Sequence, residues 1–201
     1  MSSTSIIKED IIKEQILRTS QKLFQRDGLH EVTMEDVANA VGKAKSSLYY
    51  YYKSKEEIWN AVMDIEISEI HTDIAKAVGK ETTIEQKIYA FCLTMVKSLR
   101  KKRALYHVAY GNNESARKDK YTYPIRRRFV KVESVLLNEI LTVGISNGEL
   151  RKIDKKDQDV LVFVLLSGLK GLEKEMVIEN DQNLEPAIKT LSHIIINGLK
   201  N

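Results

Sequence analysis

Gly42-Lys43-Ala44-Lys45-Ser46-Ser47-Leu48-Tyr49-Tyr50-Tyr51-Tyr52 decides how the chain is read, because it sets four consecutive tyrosines one short helix beyond a glycine. Successive helical residues point about 100° apart, so one small helix packed on one side cannot bury four in a row. Leu48 and Tyr52, four apart, are expected to face inward. Ser46, Ser47, Tyr49, Tyr50 and Tyr51 are left outward, where hydroxyls reach phosphates or base edges. Clustered aromatics often mean core or a partner-binding patch, but a continuous run fits a surface better.

The flanks give this run its setting. From Lys8 to Asp27 the apolar positions Ile12, Ile16, Leu17, Leu23 and Phe24 recur at helical spacing up to Gly28. Thr33 stands before Met34, Val37, Ala38 and Val41, with Asp36 at the capping-box distance, which predicts a short helix closed by Gly42. Gly42 can take the left-handed conformation that turns the chain sharply into a second short helix, Lys45 to Tyr51. Two short helices joined in this way have helix-turn-helix spacing, in which the second enters the major groove. Ser54 and Glu57 form another S-x-x-E box, opening a long helix that carries Ile58, Trp59, Val62, Ile65 and Ile70.

Downstream, Ile84–Lys102, Arg103 to about Gly111, Tyr123 to about Ser146, Lys155–Ile178 and Leu184–Leu199 read as five more helices. The stretch from Asn112 to Thr122 reads as a loop. With only 2 prolines and 9 glycines in 201 residues, breakers are scarce. The expected fold is all-α with about nine helices: a three-helix headpiece over residues 1–53 and a helical domain over residues 54–201.

Bulk composition narrows the function classes. At 43% hydrophobic and 30% charged, the chain matches soluble globular proteins. The single cysteine, Cys92, excludes an internal disulfide and a cysteine-based metal cluster. No long apolar run or secretion signal is present, so the expected location is the cytoplasm, away from the membrane. The net charge of +4 does not come from the headpiece: residues 1–60 hold nine Lys/Arg and nine Asp/Glu, whereas residues 97–131 hold twelve against two.

Catalytic signatures are missing. There is no P-loop, no G-x-G-x-x-G, no G-x-S-x-G and no H-E-x-x-H. His30, His71, His107 and His193 are far apart, so no helical metal pair forms, and Glu66, Glu69, His71 and Asp73 read as the solvated side of the fourth helix. The expectation is a protein that is not an enzyme and needs neither cofactor nor metal. The rival to a DNA-binding protein is a helical interaction module that binds no DNA.

The segments Thr33-Met34-Glu35-Asp36-Val37-Ala38-Asn39-Ala40-Val41-Gly42 and Leu48-Tyr49-Tyr50-Tyr51-Tyr52-Lys53-Ser54-Lys55-Glu56-Glu57-Ile58 resemble the headpiece of the tetracycline repressor (TetR) family. The resemblance is specific over about 50 residues and architectural beyond them. It implies a regulator, in the usual case a repressor, that binds a double-stranded DNA operator as a homodimer and is released by a small-molecule effector. It further implies that Thr33 contacts phosphate, that Lys45, Ser46 and Ser47 approach bases or backbone, that Tyr49 and Tyr50 clamp phosphates, and that Lys55 completes the phosphate set. Lys43 and Tyr52 depart from the family pattern, the first adding a candidate phosphate contact.

Two expectations concern the larger domain. Val160, Leu161, Val164, Leu165, Gly168, Leu169, Gly171 and Leu172 form one broad apolar face, and Leu191, Ile194, Ile195 and Leu199 a second. The resemblance makes these faces the dimer interface, with Val164, Gly168, Leu172, Leu191 and Ile195 as its candidate residues, and plain core as the alternative. Phe91, Met95, Tyr106, His107, Tyr110, Phe129 and Phe163 are the candidate lining of an effector pocket, although such residues are also ordinary core. The basic belt Arg100, Lys101, Lys102, Arg103, Arg117, Lys118, Lys120, Arg126, Arg127, Arg128 and Lys131 raises the prospect of an anionic or acyl-type effector. A solvated charged face is the alternative there.

Overall fold

Apolar residues at helical spacing, in short and in long stretches, yield eight helices and no strand among the described residues. The computed structural model describes residues 3–101, 122–178 and 184–200. In chain order the helices are α1 (Ser3–Asp27), α2 (Met34–Val41), α3 (Lys45–Tyr51), α4 (Lys55–Gly79), α5 (Ile84–Lys101), α6 (Thr122–Ser146), α7 (Lys155–Ile178) and α8 (Glu185–Leu199). The helix expected at Arg103–Gly111 lies outside the described residues. Helix α1 begins five residues before the predicted Lys8, since nothing in Ser3–Ile7 breaks a helix.

The described residues fall into two compact units, one holding 3–67 and 122–127, the other 68–101, 128–178 and 184–200. Helix α4 therefore starts in the first and ends in the second. In the first unit α1 packs on α2 and α2 on α3. Ile16, Phe24, Val37, Leu48, Ile58, Trp59 and Met63 have no exposed surface, each such burial stabilising by roughly 1.5–3 kcal/mol. Gly28 at φ 89° and Gly42 at φ 70° take the left-handed turns that end α1 and α2, a conformation costly for any residue with a Cβ. Gly42 donates its N–H back to Asn39 O at 3.1 Å, and Lys43 to Ala38 O at 2.9 Å.

The long-helix stripe of α4 differs from its expected register. Ile65 is 42% exposed, whereas Glu66, expected on the solvated side, is 1% exposed and accepts a hydrogen bond from Gln21 Nε2. Glu66 lies three and four residues from Met63, Val62 and Ile70, all buried, so it occupies an inward position that an apolar count skips.

In the second unit α5 packs against α8 and α7. Glu149, in the turn after α6, caps α5 by accepting from Ile84 N at 2.9 Å. At Gly144 on α6, a Cβ would lie 2.7 Å from Ile84 Cγ1 and 3.0 Å from Leu150 Cδ1, so only glycine permits this approach of α6 to the first turn of α5. Gly144→Ala is accordingly expected to destabilise by about 1–3 kcal/mol through overpacking. A thermal melt checks this: a Tm equal to wild type would mean that the contact is not tight.

Candidate DNA-reading headpiece

The reading helix α3 is held from behind by two side chains. Leu48 is fully buried and Tyr52 is 8% exposed, the inward pair that the spacing predicts. Burial raises the Tyr52 phenol above its usual range, so it stays protonated. The opposite side carries Lys45, Ser46, Ser47, Tyr49 (40% exposed) and Tyr50 (65% exposed). Tyr51 is half-buried, its ring edge-on to Tyr50 with centroids 5.1 Å apart, so it braces Tyr50 more than it faces outward.

The cations of this face are largely engaged within the protein. Lys45 Nζ lies 3.2 Å from Glu35 Oε2, an exposed pair between α3 and α2. Lys53 Nζ donates to Tyr49 O at 2.9 Å. Lys55 Nζ donates to Leu29 O at 2.8 Å and to His30 O at 3.1 Å. Lys43 is half-buried in the turn between α2 and α3. A weak, exposed pair such as Lys45–Glu35 exchanges readily for another anion.

Thr33 caps α2 through a reciprocal box. Its hydroxyl accepts from Asp36 N at 3.2 Å and donates to Asp36 Oδ2 at 2.6 Å, and Thr33 N donates to the same carboxylate at 2.8 Å. These bonds, the hydroxyl first, hold the Asp36 carboxyl below its usual range. The start of α4 is capped similarly: Ser54 Oγ accepts from Glu57 N at 3.2 Å, and Glu57 accepts from Lys53 N at 2.6 Å.

Of the pocket candidates in the second unit, Phe91 and Met95 have no exposed surface and Phe129 is 2% exposed, whereas Phe163 is 69% exposed. Tyr106, His107 and Tyr110 lie outside the described residues, as do Lys102, Arg103, Arg117, Lys118 and Lys120 of the basic belt. In the remainder of the belt, Lys101, Arg127 and Lys131 are exposed and Arg100, Arg126 and Arg128 half-buried. A residue the spacing did not flag is Glu133, 2% exposed, with Lys170 Nζ 2.7 Å from its Oε2. Burial raises its carboxyl above the usual range, and Lys170 opposes the shift. Its inward register with Phe129 and Leu137, four residues either side, was the available signal.

Helix α7 sorts its apolar residues sharply. Val162, Leu165, Leu166 and Leu169 are buried, while Val160 (54%), Phe163 (69%) and Val164 (58%) are exposed, in line with exposed Gly168 and Gly171. Leu172, Leu191 and Ile195 are half-buried, and Ile194 on α8 is 62% exposed. Buried Cys92 has its thiol pushed up to about 12 by desolvation, so it is protonated and no nucleophile at neutral pH. Among the described residues no group of three His, Cys, Asp or Glu side chains is placed to hold a metal ion, and no helix is long and apolar enough to cross a membrane.

Residues 16–62, from the middle of α1 through α2 and α3 into α4, match the family described as bacterial regulatory proteins, tetR family. The match covers the headpiece alone, which is thus similar to that of the TetR family. It is similar to the HTH-type transcriptional regulator QacR of Staphylococcus aureus, 22% identical over 188 residues, which cover 94% of this chain and 84% of QacR. The transcriptional regulator TtgR of Pseudomonas putida is 25% identical over 73 residues, only 36% of this chain and 34% of TtgR. Beyond the headpiece, the fold is similar to that of the fatty acid degradation regulator FadR of Bacillus halodurans. That match has a TM-score of 0.67 at 16% identity and covers 92% of this chain and 93% of FadR.

The Thr33–Asp36 box gives a pH test. A carboxyl with a depressed folded-state pKa contributes stability that is complete above its unfolded value, near 3.9, and is lost as pH falls through the folded value. Asp36→Asn is expected to lower the Tm at neutral pH, with the gap to wild type closing as pH falls below the unfolded value of about 3.9 and through the lower folded one. A gap that stays constant across this range would show that the charge of Asp36 is irrelevant to the cap.

Proposed function

We propose that the protein is a ligand-responsive transcriptional regulator, in the usual case a repressor, that binds a palindromic DNA operator as a homodimer. The observation that carries this reading is the outward set on α3: Ser46, Ser47, Tyr49 and Tyr50 are exposed together on a helix pinned from behind by Leu48 and Tyr52. Seven residues of α3 suffice to span the base edges of a half-site, and the tyrosine hydroxyls have the length to reach flanking phosphates. Thr33, Lys43, Lys45, Tyr51 and Lys55 flank these residues in sequence and complete the proposed contact set.

Dimer formation has its own support. Val160, Phe163, Val164 and Ile194 are large apolar side chains left more than half exposed, and Gly168 and Gly171 lie along the same helix as the first three. Small residues interleaved with apolar ones permit close helix approach. In a twofold interface Val164, Gly168, Leu172, Leu191 and Ile195 would be covered together with them. Such a dimer presents two α3 helices about one DNA turn or a small multiple apart.

The effector reading is that a small molecule enters the second unit among Phe91, Met95 and Phe129. The Arg126–Arg128 region favours an anionic or acyl-type metabolite. Release follows only if the ligand binds the DNA-incompetent arrangement more tightly than the competent one.

Phe163→Glu tests the dimer. Since Phe163 is 69% exposed, the variant is expected to keep its helical circular dichroism while sedimenting as a monomer at micromolar concentration. Its operator affinity should fall at least tenfold, because a single half-site contacts little DNA. A variant that stays dimeric would place the interface elsewhere, and a wild-type monomer would remove the twofold reading. Gel shift with genomic DNA fragments separates the regulator from an interaction module that binds no DNA.

A further inference from the structure

We infer that Glu133 selects the effector: its second carboxylate oxygen, Oε1, accepts a hydrogen bond from a neutral donor, a hydroxyl or amide N–H, on the effector's polar end. This rests on the effector reading just proposed and names the head-group chemistry of that same site. Glu133 lies on α6 at 2% exposure. Lys170 Nζ, half-buried on α7, donates to its Oε2 at 2.7 Å. Oε1 is likewise shut off from solvent, yet it accepts no hydrogen bond among the described residues. As the partner of an ammonium the group acts as a carboxylate, whose oxygens only accept. A purely structural ion pair would have both oxygens served, because a buried acceptor left without a donor is costly.

The surroundings decide which donor fits. Phe129 and Leu137, one turn either side of Glu133 on α6, are 2% and 0% exposed, so its neighbours on that face are apolar. Lys170 already neutralises the carboxylate. A second full cation would leave a net positive charge in an apolar interior, and an anionic head would meet like charge at Oε1. A neutral donor fills the oxygen at neither cost. The effector is then an amphiphile, with an apolar body for Phe91, Met95 and Phe129 and a hydroxyl or amide for Glu133. Of the classes proposed above this selects the acyl-type one, with its donor end, not an anion, at this position. Lys170 stands in sequence between Gly168 and Gly171, so the pair links the head group to the helix proposed for dimerisation.

Five ligands sharing one ten-carbon tail test this on the full-length protein, by thermal shift and titration calorimetry: decan-1-ol, decanamide, decyl methyl ether, decanoate and decyltrimethylammonium. The alcohol and the amide are expected to bind about tenfold or more tightly than the ether, which keeps the tail and loses the donor. Equal affinity for alcohol and ether, as when a buried water serves Oε1, overturns the inference. Preference for decanoate or for the trimethylammonium ion does the same. In either case the effector reading itself stands, since a ligand has bound. If none of the five binds, the inference and the effector reading fail together. Glu133→Leu combined with Lys170→Met adds a second readout, because it removes the pair without stranding either charge, and the double variant is expected to keep its Tm. It should still bind the ether and should take alcohol and ether about equally. A double variant that keeps the wild-type preference for the alcohol contradicts the assignment to Glu133.

Discussion

Phe24 and Trp59 meet edge to face with ring centroids 5.4 Å apart, and neither ring has exposed surface. Such a pair contributes about 0.5–1.5 kcal/mol beyond its burial, and its geometry is directional. It fixes where α4 leaves the headpiece. The same unit buries Ile16 and Leu29 of α1 and the following connection, Val37 of α2, Leu48 of α3 and Ile58 of α4, all at or near zero exposure. The orientation of α3, and with it the outward aim of Tyr49 and Tyr50, depends on this cluster because a seven-residue helix cannot hold itself in place. Its short length is useful: few residues are spent on core, so most of its surface stays available.

This arrangement explains how a headpiece of near-zero formal charge can serve as a nucleic-acid surface. Glu35 neutralises Lys45, Tyr49 O takes Lys53, and the carbonyls of Leu29 and His30 take Lys55. A face so internally paired has little nonspecific pull on a polyanion, since nonspecific affinity scales with the number of phosphates neutralised. Recognition then depends on hydroxyls and placed side chains, whose contacts are short-range and geometry-bound. The exposed Lys45–Glu35 pair is cheap to open, so it tempers binding without blocking it.

Much of this was legible in the sequence, and the limits follow from physics. Helix boundaries at Asp27, Val41, Tyr51, Ser146 and Ile178 follow from glycines, caps and apolar periodicity, all local properties. The inward pair Leu48 and Tyr52 follows from spacing alone. Glu66 and Glu133 did not, because a carboxylate at an inward position is masked by its own polarity; only a partner from another helix, Gln21 or Lys170, makes its burial tolerable. Lys55 illustrates the same limit from the other side, since a lysine at a helix start looks like a surface cation until the carbonyls it reaches are placed. On α7 the pattern gave one broad apolar face, and packing divided it into a buried row at Leu165 and Leu169 and an exposed row at Val160 and Val164.

The central claim is that two copies of a geometric reader, not a diffuse basic patch, recognise DNA. Selection of bound duplexes from a random-sequence pool by the full-length protein, at near-physiological salt, tests it most directly. The account predicts enrichment of an inverted repeat whose half-site centres are separated by about one helical turn or a small multiple. Enrichment of no sequence, or of a single unrepeated site, would contradict it.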